Sequence, residues 1–405
     1  MTNKFNTFRT FLAGISLFLA LTVVNSPLFS QTHESDSLVS NHVDTVVAEE
    51  HHGAEAHPEE GPKKFDAGKL ISEHIADAHD WHIMGEGEHS VAVPLPIIVY
   101  SSERGLDVFM SSNFSHGHKT YKGYRLKENK IVAVNEMESI DAHEATVNEA
   151  LTAELYDISI TKNTATLFFS LALLLYVMIT VAKAYARNPG KAPKGLQSFV
   201  EPLIIFIRDD IAKASIGKKY EKFMPYLLTV FFFILINNLL GLIPIIPGGA
   251  NLTGNIAITM TLAVLTFIIT SINGTKHYWM HIVAMPGVPK WVLLLLTPIE
   301  ILGVFLRPFV LMIRLFANIT AGHIIALSFF SLIFIFGEIH TGAGLGVSVV
   351  SVAFTVFMGF LEILVAFLQA YVFTLLSSIY FGAAVEDSHH DTHDHDAHVE
   401  EAAII

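Results

Sequence analysis

Residues 291–336 form one apolar run with an arginine, Arg314, at its middle. As an α-helix, such a run of about 46 residues reaches roughly 70 Å, whereas the hydrocarbon core of a bilayer is about 30 Å thick. Two readings fit: two spans joined by a tight reversal, or one long helix lying strongly tilted. Breakers within the run include Pro298, Pro308 and Gly322. No polar loop interrupts the run, and a reversal within lipid would leave backbone groups without partners. The pattern therefore predicts the tilted helix. A second over-long apolar run covers 346–381, after a glycine-rich segment at 338–346 that reads as a turn. Together the two runs predict an unbroken helical hairpin.

Arg314 gives the hairpin its chemistry. A guanidinium does not shed its charge to escape lipid. At the centre of a spanning helix it costs about 2.5–3.5 kcal/mol even on the lenient insertion scale, so it faces protein or water and marks a charge pathway by default.

The remainder is an α-helical polytopic membrane protein. Hydrophobic residues make up 52% of the 405 and charged residues 16%, which fits several spans. Most acids and histidines lie before residue 160 or after 385, so the net charge of −13 describes two hydrophilic ends and argues against nucleic acid as a partner. The absence of cysteine excludes disulfides and thiolate metal sites.

Residues 1–30 read as a signal peptide: Lys4 and Arg9, an apolar core over 11–24, and a small residue, Ser30, for cleavage. Residues 31–62 are acidic, histidine-bearing and poor in large apolar side chains, hence disordered. Residues 63–160 read as a small exported α+β region, with helical spacing at 65–79 and strands within 91–110 and 124–134, the latter turning at Glu128-Asn129. The membrane domain is 161–385. Its first span, 164–181, is followed by Lys183, Arg187, Lys191 and Lys194, which puts that end in the cytoplasm and the preceding region outside. Residues 199–210 are too short and too charged to span and read as an interfacial helix. Spans follow at 225–243 and 256–272, giving five crossings in all, with the N-terminus outside and the acidic, histidine-rich tail, 386–405, inside. No internal repeat supports an inverted-repeat transporter.

Helical positions seven apart share a face. Glu300, Arg307 and Arg314 follow that spacing, and Asn318 lies one turn beyond. His323 lies about 14 Å from Arg314 on roughly the opposite face, and Glu362 and Gln369 share a face of the second helix about 10 Å apart. The hairpin thus combines a fixed cation, amides, an imidazole and a carboxyl, the parts of a proton relay. Each part also has a plainer role. Arg314 could neutralise Glu362, His323 could be a satisfied core histidine, and Gln369 and Asn318 could be packing amides. For Glu300 and Arg307, nearer the cytoplasmic end, a structural salt bridge is the leading reading. Asn255, Thr259 and Ser377 are weak candidates for an inner path.

The run Arg-Leu-Phe-Ala-Asn-Ile-Thr-Ala-Gly-His at 314–323 resembles the signature of F-type ATP synthase subunit a, the stator channel of the membrane motor. Asn237-Asn-Leu-Leu-Gly-Leu-Ile-Pro244, Leu368-Gln-Ala-Tyr-Val-Phe373 and the start at 65–83 agree with it. The resemblance covers roughly 65–83 and 160–385. It implies a bacterial inner-membrane subunit with no catalytic site and no cofactor. It also implies partners: a rotor ring of c subunits, each with a membrane-embedded carboxyl, the b-subunit peripheral stalk, and the rest of the synthase. Arg314 would be the arginine facing the rotor, His323 and Glu362 the paired proton-path positions in exchanged order, and Gln369 the glutamine facing the arginine region. The resemblance assigns no role to the histidine-rich ends (His51, His52, His57; His389, His390, His393, His395, His398), which read as solvated low complexity rather than a metal site. The rivals are a channel or transporter with its own substrate, and an intramembrane hydrolase, for which no H-E-x-x-H or G-x-S-x-G pattern speaks.

Overall fold

The computed structural model describes residues 66–84, 91–127, 129–136, 140–142, 144–187, 189–243, 248–285 and 288–386. The expected signal peptide, the 31–62 segment and the tail beyond 386 lie outside these residues.

The N-terminal region starts with helix α1 (Ala67–Ile75) and continues as short antiparallel strands. Strands β1 (Asp80–Met84) and β2 (Val91–Pro94) pair with each other. Strand β3 (Pro96–Ser101) pairs with β4 (Gly105–Met110), and β5 (Tyr124–Lys127) with β6 (Lys130–Ala133). Period-two alternation places Ile97 and Val99 of β3 inward at 0% exposure, against Phe109, Phe114 and Tyr124. The expected turn falls where Lys127 pairs with Lys130, and Asn129 takes the left-handed conformation (φ 61°) that asparagine tolerates. A short helix α2 (Glu149–Ala153), capped by Asn148, leads to β7 (Tyr156–Asp157), which pairs with β3.

Five described helices are long and apolar enough to cross a membrane. The first, α3 (Lys162–Arg187), holds the expected 164–181 span. Helix α4 (Leu196–Phe206) covers the start of the expected interfacial segment, and a wide π turn (Ile207–Lys213) extends it. Gly217, at φ 69°, then breaks the chain direction before α5 (Tyr220–Leu242). Helix α6 (Ile256–Asn273) is followed by the short α7 (Lys276–Val283). The hairpin is α8 (Lys290–Ile339) and α9 (Thr341–Val385). Both over-long runs are single helices, and neither Pro298 nor Pro308 ends α8.

The expected turn within 338–346 is tighter than that segment: helix resumes at Thr341 and His340 alone is extended (φ −162°). His340 caps the second helix itself, its Nδ1 accepting from the Gly342 N–H at 3.0 Å. The glycines serve close approach: a Cβ on Gly344 would lie 2.7 Å from the Gly337 Cα.

The helical core packs α3, α5, α6 and the second half of α9 around Phe231, Phe233, Leu227 and Ile234. Phe223 stacks on Phe381 with ring centroids 4.7 Å apart. Next to that stack a Cβ on Gly382 would meet the Ser215 carbonyl oxygen at 2.0 Å. Gly382→Ala should therefore force α9 off the segment before α5, at about 1–3 kcal/mol. The temperature at which the detergent-solubilised chain aggregates should fall by several degrees; an unchanged temperature would show that this seam does not hold the bundle.

Candidate functional site

The hairpin is the least covered part of the molecule. Only 6% and 11% of the apolar windows of α8 and α9 are buried, against 50% for the window running into α5 and for α6. Arg314 and Asn318 lie on this uncovered surface, both exposed, among exposed Val310, Ile313 and Phe309. Among the described residues Arg314 makes no hydrogen bond or ion pair, so the reading in which it neutralises Glu362 does not hold. Leu311 and Leu315, on the adjoining side of the same turns, are 1% and 0% exposed and anchor α8 to the core.

Glu362 has another neighbour. Its Oε1 lies 4.0 Å from His323 Nδ1, and both side chains are about one-sixth exposed. This is too long for a direct hydrogen bond, and Glu362 Oε1 is buried with no hydrogen-bond partner among the described residues. Two glycines let the groups approach. A Cβ on Gly322 would lie 3.0 Å from Glu362 Oε1, and one on Gly241 of α5 would lie 3.8 Å from His323 Nε2. One turn beyond Glu362, the Ala366 carbonyl accepts from Asn238 Nδ2 at 3.2 Å, and Asn238 Oδ1 accepts from Thr253 at 2.6 Å. These bonds fix α9 between Glu362 and Gln369, which is 3% exposed.

Glu300 and Arg307 are both half-buried but form no ion pair with each other, against expectation. Seven residues separate their backbones by about 10 Å along the axis, farther than their side chains close here. Arg307 instead lies over the Tyr380 ring, 5.8 Å from its centroid, in a small cleft with Thr266, Thr270, Tyr278 and Pro308. The three residues expected on an inner path do not come together. Ser377 sits one turn before Tyr380 at the Arg307 end, its hydroxyl donating to the Phe373 carbonyl. Asn255 and Thr259 start α6, whose other end carries Thr266 and Thr270, so they lie at the opposite end of the bundle. Asn255 caps α6 by accepting from the Ala257 N–H, and Thr259 donates to the Ile256 carbonyl.

Sequence reasoning missed Gly241, Gly322 as a packing residue, Asn238, Thr253 and the tyrosines of the cleft. A glycine directly before the histidine was a readable signal. The cross-helix partners had none.

The family model described as ATP synthase A chain matches residues 164–382, more than half of the chain. The chain belongs to this family. It is 48% identical over 246 residues to ATP synthase subunit a 2 of Chlorobaculum tepidum, covering 59% of this chain and 66%, just under two thirds, of that one. It is 43% identical to ATP synthase subunit a of Chloroherpeton thalassium, with 60% and 71% covered, and 40% identical to that of Myxococcus xanthus, with 59% and 78% covered. Family members are membrane subunits of an ATP synthase, so the apolar helices belong to an ion-transporting complex. Residues 70–158 match a second model, a domain of unknown function (DUF8433).

Gly322→Val should push the Glu362 carboxyl away from His323. Vesicles holding the whole complex should then take up protons more slowly, with all subunits still present; unaltered uptake would show that the close approach is not needed.

Proposed function

We propose that the chain is the proton-conducting stator subunit of an F-type ATP synthase in a bacterial inner membrane. In this reading its N-terminal region faces outward and its C-terminal tail faces the cytoplasm. The observation that carries the reading is Arg314, charged and, among the described residues, unpaired on an apolar surface that they leave open. Lipid against that surface would be costly, so a partner with matching acids fits it best. A rotor ring whose subunits each carry a mid-membrane carboxyl supplies them.

The mechanism follows from electrostatics. A protonated carboxyl crosses lipid at modest cost, whereas a carboxylate does not. As a ring carboxyl nears Arg314, the positive charge favours its ionised form and the proton leaves. The carboxylate moves on and is reloaded from a second aqueous path open to the other side. Arg314 also repels a proton moving straight from one path to the other. Each proton contributes about 2.3 kcal/mol per 100 mV to rotation.

Two polar ends support two half-paths. His323 lies roughly 14 Å along α8 from Arg314 on one side, and Arg307 about 10 Å on the other. At the His323 end, Asn237 Oδ1, Asn251 Nδ2 and Glu362 Oε1 are buried without partners among the described residues, the places where water would enter an apolar bundle. We assign His323 and Glu362 to the outer path, Asn318 to the exposed surface near the ring carboxyl, the buried Gln369 to the arginine region behind it, and the Arg307–Tyr380 cleft with Ser377 to the inner path. Glu300 stands at the inner end of α8. The b-subunit stalk and the remaining subunits would hold this chain against the turning ring.

Arg314→Ala should abolish ATP-driven proton pumping while the complex still assembles; normal pumping would end this reading. Glu362→Gln should slow pumping by roughly tenfold or more, as loss of a proton carrier does. Joining His323→Glu with Glu362→His should restore more activity than either change alone, and a double variant no better than the singles would mean that the two do not share a path.

A further inference from the structure

The N-terminal region meets the membrane helices through a compact group of titratable side chains. Asp77 Oδ1 accepts from the Asn163 backbone N–H at 3.0 Å, and the Lys162 N–H donates to the Ala78 carbonyl at 2.9 Å. Lys162 Nζ donates to the His74 carbonyl at 3.2 Å. Next along the chain His79, 4% exposed, places Nε2 at 3.0 Å from Asp157 Oδ2 of β7. Its Nδ1 is buried with no partner among the described residues, as are Asn163 Oδ1 and Thr166 Oγ1, on residues 5% and 0% exposed. Helix α1 packs against α8, and Lys162 and His74 are near enough to act electrostatically on His323.

We propose that Asp77 is a proton carrier at the mouth of the outer path, taking protons from outside water and passing them through water to His323. This rests on the stator reading. A hydronium gives its proton to the carboxylate, forming an O–H bond and leaving water. That bond then breaks as an N–H bond forms on the imidazole, and no electrons are transferred.

Among the described residues, the charged and titratable groups around Asp77 each have a place in this scheme. His74 comes from α1, His79 and Asp80 from the stretch leading into β1, and Lys162 from α3. Asp157 of β7 pairs with His79, and His323 of α8 receives the proton. Burial pushes the Asp77 carboxyl above the usual carboxylate range, against the Asn163 hydrogen bond and the Lys162 charge, so it takes up protons more readily than an open aspartate. Asp157 behaves in the opposite way. Burial would raise it, but the His79 hydrogen bond and charge and the Ser159 contacts outweigh burial and hold it below that range, ionised and orienting His79.

The competing role for Asp77 is a cap on α3. Asn keeps an Oδ1 that accepts from Asn163 but carries no proton, so Asp77→Asn separates the two roles. The test uses the whole synthase in lipid vesicles and measures proton conduction under an imposed potential as the pH on the outer face is varied. Asp77→Asn should assemble and conduct several-fold more slowly, with the deficit widest at high outer pH, and Asp77→Glu should recover most of the rate. Wild-type conduction by Asp77→Asn at every pH overturns the proposal. So does an equal, pH-independent loss in both variants, which is what a purely structural cap would give. Arg314→Ala measured in parallel separates the two readings: if it stops transport while Asp77→Asn runs normally, only the role of Asp77 falls.

Discussion

A guanidinium that keeps its charge at any physiological pH, set in an apolar helix face that the described residues do not cover, constrains everything around it. Arg314 has no partner among the described residues, yet the turns that carry it are anchored by Leu311 and Leu315. The packing therefore serves presentation. Helices α3, α5 and α6 form a dense base, and the hairpin lies across it with one side fixed and the other open.

Holding such a charge in place requires a rigid hairpin, and the chain achieves this with small residues rather than loops. Reversal takes one extended residue, His340, which caps the next helix itself. Close approach takes glycines: Gly344 against Gly337 at the turn, Gly322 against Glu362 halfway down, and Gly382 against Ser215 at the other end. Along a continuous helix, Arg314 near the middle of α8 keeps a fixed axial distance from His323 on one side and Arg307 on the other. That separation lets two polar ends flank Arg314 without merging.

Hydrophobic pattern reveals length, and length made the five helices readable, including two that exceed the thickness of a bilayer. It also placed His323 and Glu362 on adjacent helices. It could not bring Glu300 and Arg307 together, because a shared face does not shorten an axial rise of about 10 Å. The turn falls within 338–346 but takes only His340, because Gly342, Gly344 and Gly346 continue the second helix rather than break it. Asn255 and Thr259 lie at the opposite end of the bundle from Ser377, a separation implied by the direction of α6. The contacts of Asp77 with Asn163 and of Lys162 with His74 were invisible. They join residues more than eighty positions apart, and only the docking of the N-terminal region onto α3 brings them into register.

The account turns on whether the Arg314 face of the hairpin meets moving acids. The chain has no cysteine, so Asn318→Cys, one turn from Arg314, introduces a single thiol. A second cysteine would be placed on the ring subunit, one turn from its mid-membrane carboxyl, and the intact complex oxidised. The account predicts a disulfide between the two chains that blocks coupled pumping and is reversed by reductant, because a disulfide forms only when the two Cα atoms come within about 7 Å. A thiol that never joins the ring, and reacts only with reagents dissolved in lipid, would contradict it.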